Sequence, residues 1–207
     1  MAAGDAFERA SLMWEKDAGV LSRLHRIVRP EDYEAVLNTI LACGGRVATM
    51  GMGTSGVAAR KIAHMLCVAN IPSYFVPAGD AAHGAFGSVR KGDVLIMLSR
   101  GGGTEELVNL VESVREKEIT LITVTRNPDS VLAKAADVLL LMDTEEADHR
   151  GVFPTASILA VIAVFDAIAD ELSRYSQFTK KTFYYNHNHG AVGAWLKEGL
   201  ENGQTGS

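Results

Sequence analysis

Asp93 to Leu98, D-V-L-I-M-L, constrains the fold more than any other stretch of this chain. A strand with one wet face alternates apolar and polar residues. An apolar run without interruption predicts a strand covered on both faces, the condition found in parallel sheets flanked by helices. The rest of the chain repeats that pattern. Arg46–Met50, Ser73–Val76, Ile119–Val124 and Val138–Met142 read as further strands. Between them, apolar residues at helical spacing predict helices over about Ser55–Ala69, Thr104–Lys117 and Pro154–Arg174, and the turn Asn127-Pro128-Asp129-Ser130 leads into a short one. Two helices precede the first strand. One covers about Ala6–Ile27; the other opens at Pro30-Glu31-Asp32 and stops at Gly44-Gly45. Strands alternating with helices make βαβ units. The expected architecture is α/β: a three-layer αβα, doubly wound, five-stranded parallel sheet in a single domain over residues 1–200. Residues 1–44 would pack on that sheet or on a partner subunit, and residues 201–207 would form a flexible tail.

Charge and cysteine usage narrow the function. A net charge of -5 argues against nucleic acid or an anionic membrane as partner. An acidic protein that binds an anion must gather positive potential locally. No apolar run reaches the roughly 18 residues of a spanning helix, and Met1–Glu15 lacks the pattern of a signal peptide. Cys43 and Cys67 have no C-x-x-C spacing, which points to the cytosol; their apolar neighbours predict two small buried side chains.

Two strand-to-helix turns carry the chemistry. The first reads Gly51-Met52-Gly53-Thr54-Ser55-Gly56. Glycines admit a ligand to the backbone, and a helix N-terminus offers unpaired N–H groups with a positive dipole end. The segment also matches the dinucleotide pattern G-x-G-x-x-G, but the acid required about 20 residues later is missing from Phe75-Val76-Pro77-Ala78. The second turn, Ser99-Arg100-Gly101-Gly102-Gly103-Thr104-Glu105-Glu106, adds two hydroxyls and an arginine. Taken alone, either turn is explained by a tight bend and a helix cap, with Thr104 as an ordinary N-cap. In a doubly wound sheet both turns reach the carboxyl edge, where ligands bind, and together they suggest an anion cradle.

These segments resemble the SIS (sugar isomerase) family, and within it the arabinose-5-phosphate isomerases. The resemblance rests on G-M-G-T-S-G (51–56), P-A-G-D-A-A-H-G (77–84), G-D-V-L-I-M-L-S-R-G-G-G-T-E-E-L (92–107), T-R-N-P-D-S-V-L-A-K-A-A-D (125–137), E-A-D-H-R-G-V-F-P-T-A-S (146–157) and F-T-K-K-T-F-Y-Y-N-H-N-H-G-A-V-G (178–193). It implies an aldose–ketose isomerase acting on a small phosphorylated sugar, with no metal and no cofactor, self-associated as a dimer or tetramer. It implies a phosphate held by the hydroxyls of Thr54, Ser55, Ser99 and Thr104, and working side chains at His83, Glu106, Glu146 and His187; Gly53 and Gly102 of the same two loops are expected to join the phosphate site. Family isomerases often carry a C-terminal pair of CBS domains, which a chain ending at Ser207 is expected to lack. Three positions depart from the family pattern. Thr54 stands where a lysine is usual, Gly101 replaces the second serine of S-x-S-G, and H-P-G-G has become His187-Asn188-His189-Gly190. Arg100, absent from the usual pattern, is expected to return a positive charge to the phosphate site.

Isomerisation needs a base for the proton α to the carbonyl and a group that handles the hydroxyl proton. Glu146, in the loop after the last strand, and His187 are the first choices. His83 would reach sugar hydroxyls or a neighbouring subunit, and Glu106 already suits the first turn of its helix. His149 and Arg150 share the Glu146 loop and would close over the ligand, whereas His25 and His64 read as structural. A zinc site built from His83, Glu146, His187 and His189 would require those side chains to converge. The rival to an isomerase is a non-catalytic sugar-phosphate sensor on the same fold.

Overall fold

A computed structural model describes residues 3–144 and 148–202. In chain order the elements are α1 (Ala3–Leu21), α2 (Leu24–Ile27), α3 (Pro30–Leu41), β1 (Val47–Gly51), α4 (Gly53–Val68), β2 (Ser73–Phe75), α5 (Ala78–Ala81), a 3-10 turn (Ala85–Ser88), β3 (Val94–Leu98), α6 (Glu105–Val108), α7 (Val111–Glu116), β4 (Thr120–Thr125), α8 (Val131–Ala135), β5 (Val138–Leu141), α9 (Ala156–Ser173), α10 (Lys180–Asn186) and α11 (Gly190–Glu201). All strand pairs are parallel, in the order β2-β1-β3-β4-β5. The α/β doubly wound reading therefore holds.

The central strands show why the apolar runs are uninterrupted. In β3, Val94, Ile96 and Leu98 enter one core with Val36 and Ile40 of α3, Ile62 and Leu66 of α4, and Phe165 and Ile168 of α9. Leu95 and Met97 enter the opposite core with Phe86, Leu107, Val114 and Leu132. A strand's side chains alternate across the sheet, so two buried faces favour apolar residues on both sides of the strand. Two buried threonines in β1 and β4 are paired with backbone. Thr49 Oγ1 donates to the Ala59 carbonyl at 2.7 Å and Thr123 Oγ1 to the Leu132 carbonyl at 3.0 Å, which removes the cost of burying a hydroxyl.

Two long helices expected from periodicity are divided. Residues 22 and 23 form a turn between α1 and α2, where Ser22 Oγ donates to the Gly19 carbonyl. Asn109 and Leu110 separate α6 from α7, and the Leu110 N–H bonds three residues back, to Leu107. The cysteine reading is corrected. Cys43 is only half-buried and Cys67 is exposed. Cys67 lies on α4 next to Leu66, which takes the core-facing position, and its thiol donates to the Ser73 carbonyl. His25 and His64, expected to be structural, are both exposed. Among the described residues no helix is long and apolar enough to cross a membrane.

Candidate functional site

The order β2-β1-β3-β4-β5 makes β1 and β3 neighbours whose chains depart to opposite sides. At such a switch point the loops leaving two adjacent strands separate and open a crevice at the carboxyl edge. Both glycine-rich turns lie there. A hollow partly open to solvent is lined by Ser55, Leu98, Ser99, Arg100, Thr125, Arg126, Thr144, Pro154 and Ser157 among others. Ser55 and Ser99 thus share one cavity.

On the first side, α4 begins at Gly53, so Gly53, Thr54 and Ser55 form its opening turn. No side chain caps that turn, and the N–H groups of a first turn have no acceptor within the helix. The turn packs tightly on the strand it leaves: a Cβ on Gly56 would come within 2.7 Å of the Gly51 carbonyl oxygen.

The second side is more elaborate. Thr104 occupies the N-cap position of α6, but its side chain makes no capping bond; its Oγ1 lies 2.7 Å from Ser99 Oγ. The ordinary-cap explanation of Thr104 is therefore replaced by a hydroxyl pair. Ser99 Oγ also accepts the Gly102 N–H at 3.1 Å. Gly102 has φ +68, and a Cβ there would fall 2.0 Å from Ser130 Oγ, so only glycine fits. Arg100 is fixed at both ends. Its carbonyl accepts from Thr125 Oγ1 and the Arg126 N–H, each at 3.0 Å, and its Nη2 lies 3.2 Å from Asp148 Oδ2.

Sequence reasoning missed Arg126, Thr144, Ser157 and Asp148. Arg126 was findable, since it is the first residue after β4 and the same edge rule applies to it. It joins Arg100 in supplying the local positive charge that an acidic chain needs for an anion. Asp148 is buried at 2 % exposure and gathers the N–H groups of Thr155 and Ser157 and the Ser157 hydroxyl. His149 and Arg150 are exposed in this loop or nearly so, with Arg150 at φ +55.

The expected proton-transfer groups that are described do not converge within the chain. Glu146 lies outside the described residues. Glu106 is exposed in the first turn of α6, and His83 is exposed just after α5, beyond the end of β2. His187 is the C-cap of α10 and lines a different cavity, with His64, Cys67, Asn70 and Pro72. Pro72 precedes β2 and pairs with the start of β1, so that cavity is at the amino end of the strands, opposite Ser55 and Ser99. His187 stacks on Phe183 with centroids 4.7 Å apart, and its Nδ1 is buried without a partner among the described residues. His189 is the N-cap residue of α11 but makes no side-chain cap. No three His, Cys, Asp or Glu side chains converge as a metal site would require, among the described residues.

The SIS domain profile matches residues 40–170. Arabinose 5-phosphate isomerase KdsD of Pseudomonas aeruginosa is 40% identical over 183 residues, covering 88% of this chain and 55% of that protein. The chain therefore spans about half the length of the curated relatives it matches. A Listeria monocytogenes protein described as a candidate sugar-phosphate isomerase superposes with TM-score 0.88 at 38% identity, covering 91% of this chain and 100% of that one. The Escherichia coli CFT073 protein c3406, solved in complex with arabinose 5-phosphate, superposes with TM-score 0.85 at 30% identity over 90% of this chain and 100% of that one.

Proposed function

This chain belongs to the SIS domain family, and from that premise we propose that it interconverts an aldose phosphate and a ketose phosphate by enediol proton transfer, with arabinose 5-phosphate and ribulose 5-phosphate as the pair. The observation that carries this reading is the shared hollow. Ser55 and Ser99, at the exits of adjacent parallel strands, line it together with Arg100 and Arg126. Hydroxyls, first-turn N–H groups and guanidinium groups form a donor set suited to a phosphoryl group. Gly53, Thr54 and Ser55 bind it from the α4 side; Ser99, Arg100, Gly102 and Thr104 bind it from the α6 side.

With the phosphate fixed, the sugar chain extends along the carboxyl edge. Glu146 takes the proton α to the carbonyl, and His187 handles the hydroxyl proton, as imidazole does readily near neutrality. His83 contacts sugar hydroxyls, and Glu106 adds a carboxylate next to the second loop. The chemistry needs neither metal nor redox cofactor. His187 of the same chain stands at the far end of the sheet, so a second copy brings its own His187 to the hollow. Self-association to a dimer or tetramer accounts for exposed Leu12 and Trp14 on α1 and Val192 and Trp195 on α11, apolar surface that a partner would cover. The cytosol is the proposed compartment.

One observation favours a second reading: without a partner the hollow holds no described histidine, as a non-catalytic sugar-phosphate sensor would allow. Incubation with arabinose 5-phosphate in deuterated water separates the two. Deuterium at C1 or C2 of recovered sugar is expected of the isomerase. Thermal stabilisation by the sugar without exchange identifies the sensor.

A further inference from the structure

Arg100 is a departure from the family's usual second loop, and the fold supplies an anchor for it. The Asp148 side chain is 1 % exposed. Its Oδ1 accepts the N–H groups of Thr155 at 2.9 Å and Ser157 at 3.0 Å, and its Oδ2 accepts the Ser157 hydroxyl at 2.7 Å. These donors sit at the N-terminal end of the 18-residue helix α9, where the dipole also favours an anion. Three neutral donors and a helix end thus satisfy the carboxylate before Arg100 is counted. The dependence runs the other way. In the ion pair with Asp148, Nη2 lies 3.2 Å from Oδ2. Arg100 Nε is buried and meets no acceptor among the described residues. An orphaned buried donor is unfavourable, and guanidinium N–H groups suit phosphate oxygens. The Arg100 side chain is 36 % exposed and lines the hollow together with Ser55 and Ser99.

We propose that Asp148 is the positioning residue of Arg100, holding the guanidinium through Nη2 so that its exposed part is presented to the substrate phosphate. The inference rests on the reading of the hollow as a phosphate site. It deepens that reading by naming what replaces the usual lysine: an arginine pre-oriented by a helix-bound carboxylate. A long side chain left without that tether must be ordered each time ligand binds, which weakens binding.

Asp148→Asn keeps the shape and an acceptor for the α9 N–H groups while removing the charge that holds Arg100. The assay is steady-state kinetics of the full chain on arabinose 5-phosphate, with inorganic phosphate as competitive inhibitor. KM and the phosphate inhibition constant are expected to rise together by about tenfold, as for loss of one charge-assisted hydrogen bond, with kcat changed far less. In an Arg100→Ala background the same substitution should add less than about twofold, because the two residues act as one unit. A purely structural Asp148 would shift KM equally with and without Arg100, and that result, or wild-type constants for Asp148→Asn, overturns the proposal. Should the wild-type chain turn over no sugar phosphate, calorimetry with inorganic phosphate takes the place of kinetics. Binding that Asp148→Asn weakens about tenfold then upholds this inference while the isomerase reading fails, and absence of phosphate binding by wild type overturns both. Should Asp148→Asn fail to fold, Arg100→Lys decides, since lysine keeps the charge without a fork to orient. A raised KM close to that of Arg100→Ala supports the proposal, and a wild-type KM rejects it.

Discussion

Gly102→Ala perturbs the second loop at its most confined point. The backbone there has φ +68, and the new Cβ would lie 2.0 Å from Ser130 Oγ and 2.4 Å from Ser130 Cβ. The left-handed conformation costs an alanine about 1–2 kcal/mol. The contact cannot be relieved without moving Ser130, whose Oγ caps α8 by accepting the Ala133 N–H at 3.2 Å. Loss of a helix cap costs about 1 kcal/mol, with a range reaching about 2. The expected destabilisation is therefore about 2–4 kcal/mol. In a chain of this size each kcal/mol lowers Tm by about 2–4 °C, so a drop of about 4–16 °C should be seen by scanning calorimetry. Gly101→Ala is the matched control: no atom lies within 4 Å of its Cβ, and its φ is not positive. It should stay within about 0.5 kcal/mol of wild type. Equal Tm values for the two variants would refute the claim that loop geometry, rather than general glycine content, is required.

Ser99→Ala removes the oxygen that accepts the Gly102 N–H and faces Thr104 Oγ1; KM for arabinose 5-phosphate should rise by roughly tenfold or more, and an unchanged KM would remove Ser99 from the phosphate site. Burial, then the nearby charges of Glu171 and Asp170, raise the Tyr33 hydroxyl above its ordinary value of 10.0. The folded state thus holds that proton more tightly than the unfolded state, and stability conferred below about pH 10 is lost as pH rises through the folded value. Tyr33→Phe should flatten the alkaline limb of Tm against pH, and an identical limb would contradict the assignment. If a second copy supplies His187, mixing His187→Ala with Ser99→Ala chains, assayed at arabinose 5-phosphate concentrations well below the KM of Ser99→Ala, should give more activity than the sum of the two alone through mixed oligomers. Activity no greater than that sum would contradict a His187 supplied by a second copy.

The sheet was legible because both of its faces are buried, which forces the apolar run Val94–Leu98 and leaves threonine as the only polar residue among the apolar ones of β4, without reference to any distant residue. The hollow was half legible. Ser55, Ser99 and Arg100 announce themselves through glycine-rich turns after strands. Asp148 and Ser157 come from a loop and a helix start whose approach to Arg100 is a tertiary event with no local pattern. Cys67 was misread because apolar sequence neighbours do not fix which side of a helix a residue takes; adjacent Leu66 occupies the buried side. The breaks at residues 22–23 and 109–110 escaped notice because apolar spacing runs through both. His187 was placed near the ligand by resemblance alone, while the path of α10 carries it to the opposite end of the sheet.

A crystal structure of the chain with arabinose 5-phosphate puts the central claim to its most direct trial. The phosphorus atom is expected between the Ser55 and Ser99 hydroxyls, with the Arg100 guanidinium donating to one of its oxygens and the sugar carbons directed along the carboxyl edge of the sheet. A phosphate seated elsewhere, with Ser55 and Ser99 making no contact to it, would contradict that claim.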